Sequence, residues 1–287
     1  MKKSVKIGAG VTAFLLIAII LYFANGLVGN PVSKMIANKN GKEYISKEYR
    51  DMNLQTGAVY YSFKDGRYHI DVKSSTSKDT YFEIAISPFG KVEYDSYEDN
   101  VTNKWNTYER INSAYFNKTK KLFESKDFPY KNEIGFGDIK RSDDIEESEF
   151  EDIFSYPKYG IDVNKLELDK SYNIYELGKE AGCITLNVEN EEVSVKIASE
   201  ILLDVKNILD ENSISFYAID FTLEKPRDSE GMPNKDDTSI IIQQFLYKDI
   251  YINDLDKRMK IAHEKLKEYY NKLDSLPYNG KGEPIEE

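Results

Sequence analysis

Ile7–Val28 reads IGAGVTAFLLIAIILYFANGLV and contains no charged residue. Within Val11–Ala24, Thr12 is the single small polar side chain. A helix needs about 20 mostly apolar residues to cross a bilayer, so the stretch has the length and composition of a transmembrane span. Lys2, Lys3 and Lys6 precede it with no acid among them, as a cytoplasmic flank does. Lys34, Lys39 and Lys42 on the far side reduce that asymmetry. The same residues satisfy the pattern of a secretory signal, with Ala24-Asn25-Gly26 as the only fair cleavage match. The uncharged run continues to Ser33, longer than a signal core, which favours a retained anchor. No cysteine lies behind the run, which excludes a lipoprotein anchor. Residues 1–29 are therefore expected to be a membrane anchor, with the rest of the chain extracytoplasmic.

Beyond the anchor stand about 255 residues, enough for one large or two ordinary domains. Of the 39 basic residues of the 287-residue chain, the three flanking lysines belong to the anchor; the remaining 36 face 50 acids, a net charge of −14. A field of that sign disfavours nucleic acid. Cys183 is alone, so no intramolecular disulfide forms and stability must come from packing.

Working outward from the span, Asn30-Pro31 is a helix start, Asn as N-cap and Pro in the first turn. Val32, Ile36, Ile45 and Tyr49 follow at helical spacing, with Gly41 as a weak point. The period then changes to two. Val59, Tyr61 and Phe63 lead to Asp65-Gly66, a hairpin signal that predicts a type I′ turn. Tyr68, Ile70 and Val72 alternate with Arg67, His69, Asp71 and Lys73; Phe82, Ile84, Ile86 and then Val92 and Tyr94 continue an antiparallel meander. Val101, Trp105, Tyr108, Ile111, Tyr115, Thr119 and Leu122 return to helical spacing, and this helix is expected to cover the meander's apolar face.

Residues 124–160, bracketed by Pro129 and Pro157 and holding the acidic run Asp143–Asp152, predict a linker with little regular structure. The run lacks the spacing of a calcium loop. The second domain is expected over 161–276. Ser171 can cap a short helix through Lys179, with Gly182 in its exit turn. Cys183–Glu189, Ser215–Glu224 and Thr238–Tyr247 read as strands. Ser194 opens a helix to Asn212, and Asn253 caps a last helix carrying Leu255, Met259, Ala262, Leu266 and Leu273. The tail, 277–287, is disordered in composition. The fold expected is α+β: an N-terminal transmembrane helix, then two small domains, 30–123 and 161–276, each an antiparallel or mixed sheet covered by helices.

No motif carries chemistry. His69 and His263 fall in different halves and share no ligand spacing, so no zinc site is expected. Cys183 reads as a structural thiol rather than a Cys–His nucleophile. Gly135-Phe136-Gly137 lacks the later glycine of a phosphate cradle. Arg227–Asn234, a polar loop between two good strands, is the most suggestive segment, since loops on a rigid sheet carry function disproportionately. The sequence thus names no catalytic, cofactor-binding or metal residue and no cofactor.

Taken together, Lys179-Glu-Ala-Gly-Cys-Ile-Thr-Leu, Ile201-Leu-Leu-Asp-Val-Lys, Phe216-Tyr-Ala-Ile-Asp-Phe-Thr-Leu and Phe245-Leu-Tyr-Lys-Asp-Ile resemble the YfjL-like proteins of Gram-positive bacteria. Gly29-Asn30-Pro31 and the Tyr–Phe–Asp-Gly–Tyr–His–Asp hairpin resemble the N-terminal part of the same group. The resemblance covers nearly the whole chain. It implies a membrane-anchored protein with two α+β domains and carries over no site residue. The expected function is a non-enzymatic binding or accessory module at the cell surface, held to the membrane by its helix and meeting a protein or envelope partner. The alternatives are a metal-independent hydrolase of envelope polymers using a carboxylate pair, and an inhibitor or immunity-type protein for a basic partner.

Overall fold

The computed structural model describes residues 3–144, 150–228 and 238–276. Helix α1, Lys3–Val28, holds the apolar stretch. Among the described residues one helical stretch is long and apolar enough to cross a membrane; it begins within α1 at Gly10, and its most apolar window buries nothing within the chain. Length and composition make it compatible with a single-pass anchor, and a signal sequence meets the same test. At Gly29 the backbone turns through φ +69°. Helix α2, Pro31–Glu48, starts at once: Asn30 Oδ1 accepts the Ser33 N–H at 2.8 Å and Pro31 occupies the first turn.

Two compact units divide the chain, one made of residues 1–108 with 166–170 and one of 109–165 with 171–287. The first holds strands β1, Leu54–Thr56; β2, Tyr60–Ser62; β3, Arg67–Ser74; β4, Tyr81–Ile86; and β5, Val92–Asp95. β1 and β2 pair with the two ends of β3, so they act as one interrupted strand of an antiparallel meander β3–β4–β5. Tyr68, Ile70, Val72, Phe82, Ile84 and Ile86 are buried, as the period of two requires. Val92 packs on that core, whereas Tyr94 lies on the exposed side, past a register shift between Ala85 and Ile86.

The face is covered by α2 and not by the later helix. Ala37, Gly41 and Ile45 form its buried stripe, while Val32 and Ile36 are exposed. Gly41 is the reason. A Cβ there would stand 2.5 Å from Ile70 Cδ1 and 2.7 Å from Ile86 Cδ1, so its missing side chain lets the helix lie against the sheet. The residue that weakens the helix locally is the one that seats it.

The hairpin between β2 and β3 is not a two-residue type I′ turn. Ser62 pairs with Arg67, four residues intervene, the Gly66 N–H reaches Ser62 O at 2.9 Å, and Gly66 (φ +71°), but not Asp65, has positive φ. A longer loop needs only one left-handed residue at its end. Space around Gly66 is open, the Tyr61 hydroxyl lying 3.9 Å from an added Cβ, so its cost to a side chain is conformational. Gly66→Val should therefore destabilise this unit by about 1–3 kcal/mol in urea unfolding, the cost of a β-branched residue at positive φ. An unchanged midpoint would count against the loop geometry.

The first unit is discontinuous, because 166–170 returns to it and Leu168 packs on its core. Buried Asp79 pins that return: its Oδ2 accepts the Asp169 N–H at 2.8 Å and the Thr107 hydroxyl at 2.9 Å. The Asp79 N–H donates to Asp169 Oδ1 at 3.0 Å, and Asn106 Nδ2 donates to Asp79 O at 2.9 Å.

Helix α3, Trp105–Phe123, crosses the boundary, and from Glu109 it belongs to the second unit. There β6, Asn132–Ile139, occupies part of the stretch expected to be an irregular linker. It is the edge strand of a mixed four-stranded sheet, β6–β7–β8–β9, with β7 at Gly182–Glu189, β8 at Ala218–Glu224 and β9 at Ser239–Leu246. β7 and β8 are parallel, joined through α5, Val195–Glu211, which Ser194 caps as expected. Asn173, not Ser171, caps α4, Ile174–Ala181; Asp254, in a left-handed conformation, precedes α6, Leu255–Asp274, where Asn253 was expected to cap.

Gly135-Phe136-Gly137 lies in β6. A Cβ at Gly137 would come 2.6 Å from Tyr115 Cε1 and 2.9 Å from Thr119 Cγ2, and one at Gly135 would come 2.7 Å from Phe123 Cβ. The two glycines thus admit α3 onto the sheet. The Thr119 hydroxyl accepts the Gly137 N–H at 2.7 Å, replacing ladder partners that this edge lacks.

Candidate functional site

At the end of the second sheet where β7 and β8 begin and β9 finishes, Tyr175, Lys179, Asp210, Phe216, Tyr217, Leu246, Tyr247 and Lys248 surround a recess of about 290 Å³. α4 supplies Tyr175 and Lys179, the end of α5 supplies Asp210, and the entry to β8 and exit of β9 supply the rest. The walls are rings with cations on them: Lys179 Nζ lies 4.4 Å from the Tyr175 centroid and Lys206 Nζ 4.2 Å from that of Tyr247. The Tyr247 hydroxyl donates to the Asp210 carboxylate at 3.0 Å; burial and that acceptor push it up to about 12. Lys206 is fixed by donating to Ile250 O at 2.9 Å.

Tyr217 joins the recess to a buried polar group. Its ring stacks on Tyr159 at 4.5 Å, and the Tyr159 hydroxyl donates to Gln244 Oε1 at 2.6 Å. Gln244 is strained, with φ +52° inside β9. It belongs to a bulge: Ile219 faces Phe245 and Phe221 faces Ile242, so Gln243 and Gln244 share Asp220. Asp220 Oδ1 accepts the Gln244 backbone N–H at 2.7 Å and its Nε2 at 3.0 Å, which satisfies the bulged backbone. Cys183 Sγ lies 3.8 Å from Asp220 Oδ2. Burial, then the Asp220 charge, push the thiol up to about 12, which favours its protonated form at neutral pH. Nearby, Asp138 Oδ2 pairs with Lys140 at 2.8 Å, while its Oδ1 is buried with no hydrogen-bond partner among the described residues.

Burial raises Asp220 above the ordinary carboxylate range despite the Gln244 donors. A folded pKa above the unfolded one gives stability that is present below the unfolded value, about 3.9, and lost as pH rises through the folded value. Asp220→Asn keeps an oxygen for the Gln244 N–H and removes the titration. Its stability relative to the parent should therefore improve as pH rises from 4 to 8, measured by urea midpoints at each pH. A variant that loses ground with rising pH would reverse the assignment.

The residues considered from sequence lie elsewhere. His69 sits in the first unit between Glu83 Oε1, 2.7 Å from Nδ1, and Asp65 Oδ2, 3.0 Å from Nε2, under the Tyr60 ring at 5.4 Å. His263, on α6, places Nδ1 3.2 Å from the Ile241 nitrogen and 3.0 Å from its oxygen, taking one of the two according to its tautomer and covering the edge of β9. Arg227 pairs with Glu133 at 2.6 Å; residues 229–234 of its loop lie outside the described residues, as do 145–149 of the acidic run and the tail 277–287. Asp144 of that run is bound by Arg141 Nε at 2.7 Å. Among the described residues no three His, Cys, Asp or Glu side chains gather as metal ligands would. Tyr217 and Gln244, which the structure brings to the centre, show no sequence signal beyond membership of a strand.

An apolar N-terminal helix, an antiparallel α+β unit and a mixed α+β unit with an aromatic recess define the class of protein. None of the curated proteins and none of the solved structures matches the chain. The chain belongs to the YfjL-like family: the YfjL-like N-terminal domain matches residues 1–96, and the YfjL-like C-terminal domain matches residues 92–260.

Proposed function

We propose that this chain is a membrane-tethered, extracytoplasmic binding or accessory module of the bacterial cell surface, without catalysis. It takes a ring-bearing, anionic group of its partner into the recess of the second unit. The recess walled by Tyr175, Phe216, Tyr217 and Tyr247, with Lys179 and Lys248 at it, carries the reading. Aromatic faces supply contact area at low entropic cost, and Lys248 supplies charge together with Lys179, which is shared with Glu176 at 3.1 Å. Lys2, Lys3 and Lys6, ahead of the uncharged run Ile7–Val28, support the orientation. Asp220 accepts from Gln244, Asp138 meets Lys140 through Oδ2 alone, and neither carboxylate lines the recess, which favours binding there over a hydrolase built on that pair.

A photocrosslinking amino acid at Lys248, introduced into the full chain in its native membrane, tests this. It should give a discrete adduct, and Tyr217→Ala in a variant with an unchanged melt should abolish it. The same crosslinker at Lys121, on α3, should give none. Adducts indifferent to position or to Tyr217 would reject the site. A basic protein as the crosslinked species would instead favour the inhibitor reading.

A further inference from the structure

Three segments meet where α1 enters the first unit. The Tyr61 hydroxyl donates to Gly26 O at 3.1 Å, and the Asn30 N–H donates to the Tyr68 hydroxyl at 2.8 Å. Tyr61 pairs with Tyr68, and Tyr68 with Ile86. Both hairpin tips, the one holding Phe63 and the one holding Phe89, therefore leave the sheet at the end where α1 arrives. The second tip is fixed to α2: Asn40 Nδ2 donates to Gly90 O at 2.9 Å, and a Cβ on Gly90 would stand 2.5 Å from Ile36 Cγ2.

This end is apolar and exposed. Phe89 is 91% exposed, Phe63 64%, and on the first turns of α2 Met35 is 73% and Val32 66% exposed. Lys34, Lys64 and Lys91 stand exposed on the same three segments. Asp65, the acid there, is bound to His69. The turn at the opposite end of the sheet, Ser75–Thr80, contains no apolar side chain. Soluble surfaces seldom gather large apolar residues in this way, and a mix of inserted aromatics with lysines is what a bilayer interface selects.

We infer that this end of the first unit is a membrane-contact face, seated on the bilayer by Phe63, Phe89, Val32 and Met35 and by lysines at the lipid headgroups. The inference rests on the anchored reading, because the face continues the apolar surface of α1. The tether and the face then act together: α1 holds the chain at the membrane, and the face sets how the first unit meets it.

The test uses the full chain with Lys64→Cys or, for reference, Lys78→Cys, each labelled with an environment-sensitive maleimide fluorophore. The chain is reconstituted into vesicles of equal parts phosphatidylcholine and phosphatidylglycerol. The buried Cys183 of the parent measures the background. Lipids carrying a spin label high on the acyl chain should quench the Lys64 probe several-fold more than the Lys78 probe. Phe63→Ser with Phe89→Ser, both at exposed positions, should remove most of the difference. Equal quenching of the two probes by lipid and by aqueous iodide would overturn the face. Intact mass on the same vesicles separates the two claims. Quenching with an N-terminus near Leu27 keeps the face and removes the anchor; a full-length chain without quenching keeps the anchor and removes the face.

Discussion

Gly178→Ala should destabilise the second unit by about 3 kcal/mol or more, the combined effect of overpacking and a broken buried hydrogen bond. On helix propensity alone the change should help, by about 1 kcal/mol. The neighbours decide otherwise. An added Cβ would lie 2.2 Å from the Ser215 carbonyl oxygen and 2.8 Å from its Oγ, and backbone cannot swing aside as a side-chain tip can. The same carbonyl accepts the hydroxyl of buried Tyr115 at 2.8 Å, and the Ser215 hydroxyl donates to Tyr175 O. Displacing Ser215 strains both bonds and moves the entry to β8, which carries Phe216 and Tyr217 into the recess. Hydrogen exchange of the β7 and β8 amides under mild urea reports this unit by itself, without assuming one transition for the whole chain. Protection equal to or above the parent's would mean that α4 moves freely away from Ser215. Gly41→Ala is the contrast: its clashes are with Cδ1 tips of Ile70 and Ile86, which can rotate, so the loss should be smaller.

Asp79→Ala should cost the first unit about 3–4 kcal/mol, since a buried donor left without its acceptor costs about 1–3 kcal/mol and two are left here. Asp79 has no exposed surface, and its Oδ2 serves both the Thr107 hydroxyl and the Asp169 N–H. Without it the 166–170 segment keeps only the Asp79 N–H bond to Asp169 Oδ1 and the packing of Leu168, and Asp169, at φ +63°, loses the acceptor of its own N–H. Asp79→Asn, which retains an oxygen for both donors, should recover most of the loss. The Asp169 amide is the specific reporter: its exchange should be fast in the alanine variant and slow in the asparagine variant. If alanine leaves that amide protected, the carboxylate is not the fastening.

Where one local signal suffices, the sequence is enough. The uncharged run Ile7–Val28 specifies α1 because helix length and apolarity are local properties. Asn30-Pro31 and Ser194 specify helix starts because a cap acts over three residues. Tyr68, Ile70 and Val72 specify the inward face of β3 because a strand alternates regardless of what covers it. Family membership was legible for the same reason, since the matching motifs are helix and strand cores.

Tertiary structure alone decided which surfaces meet. Glycine gives one signal for a weak helix, a loop and a close approach; Gly41, Gly137 and Gly178 proved to be close approaches only once Ile70, Tyr115 and Ser215 stood opposite them. For that reason α2, and not α3, covers the first sheet, and the glycine-bearing stretch 132–139, part of the 124–160 expected to be a linker, is a strand. Asp220, Gln244, Tyr159 and Tyr217 likewise became one site through a bulge and a stacked pair of rings, with partners up to 85 residues apart. Periodicity reports the burial of a residue's own element. The strain at Gln244 and the fastening at Asp79 depend on contacts made when distant segments pack, and no local pattern encodes those.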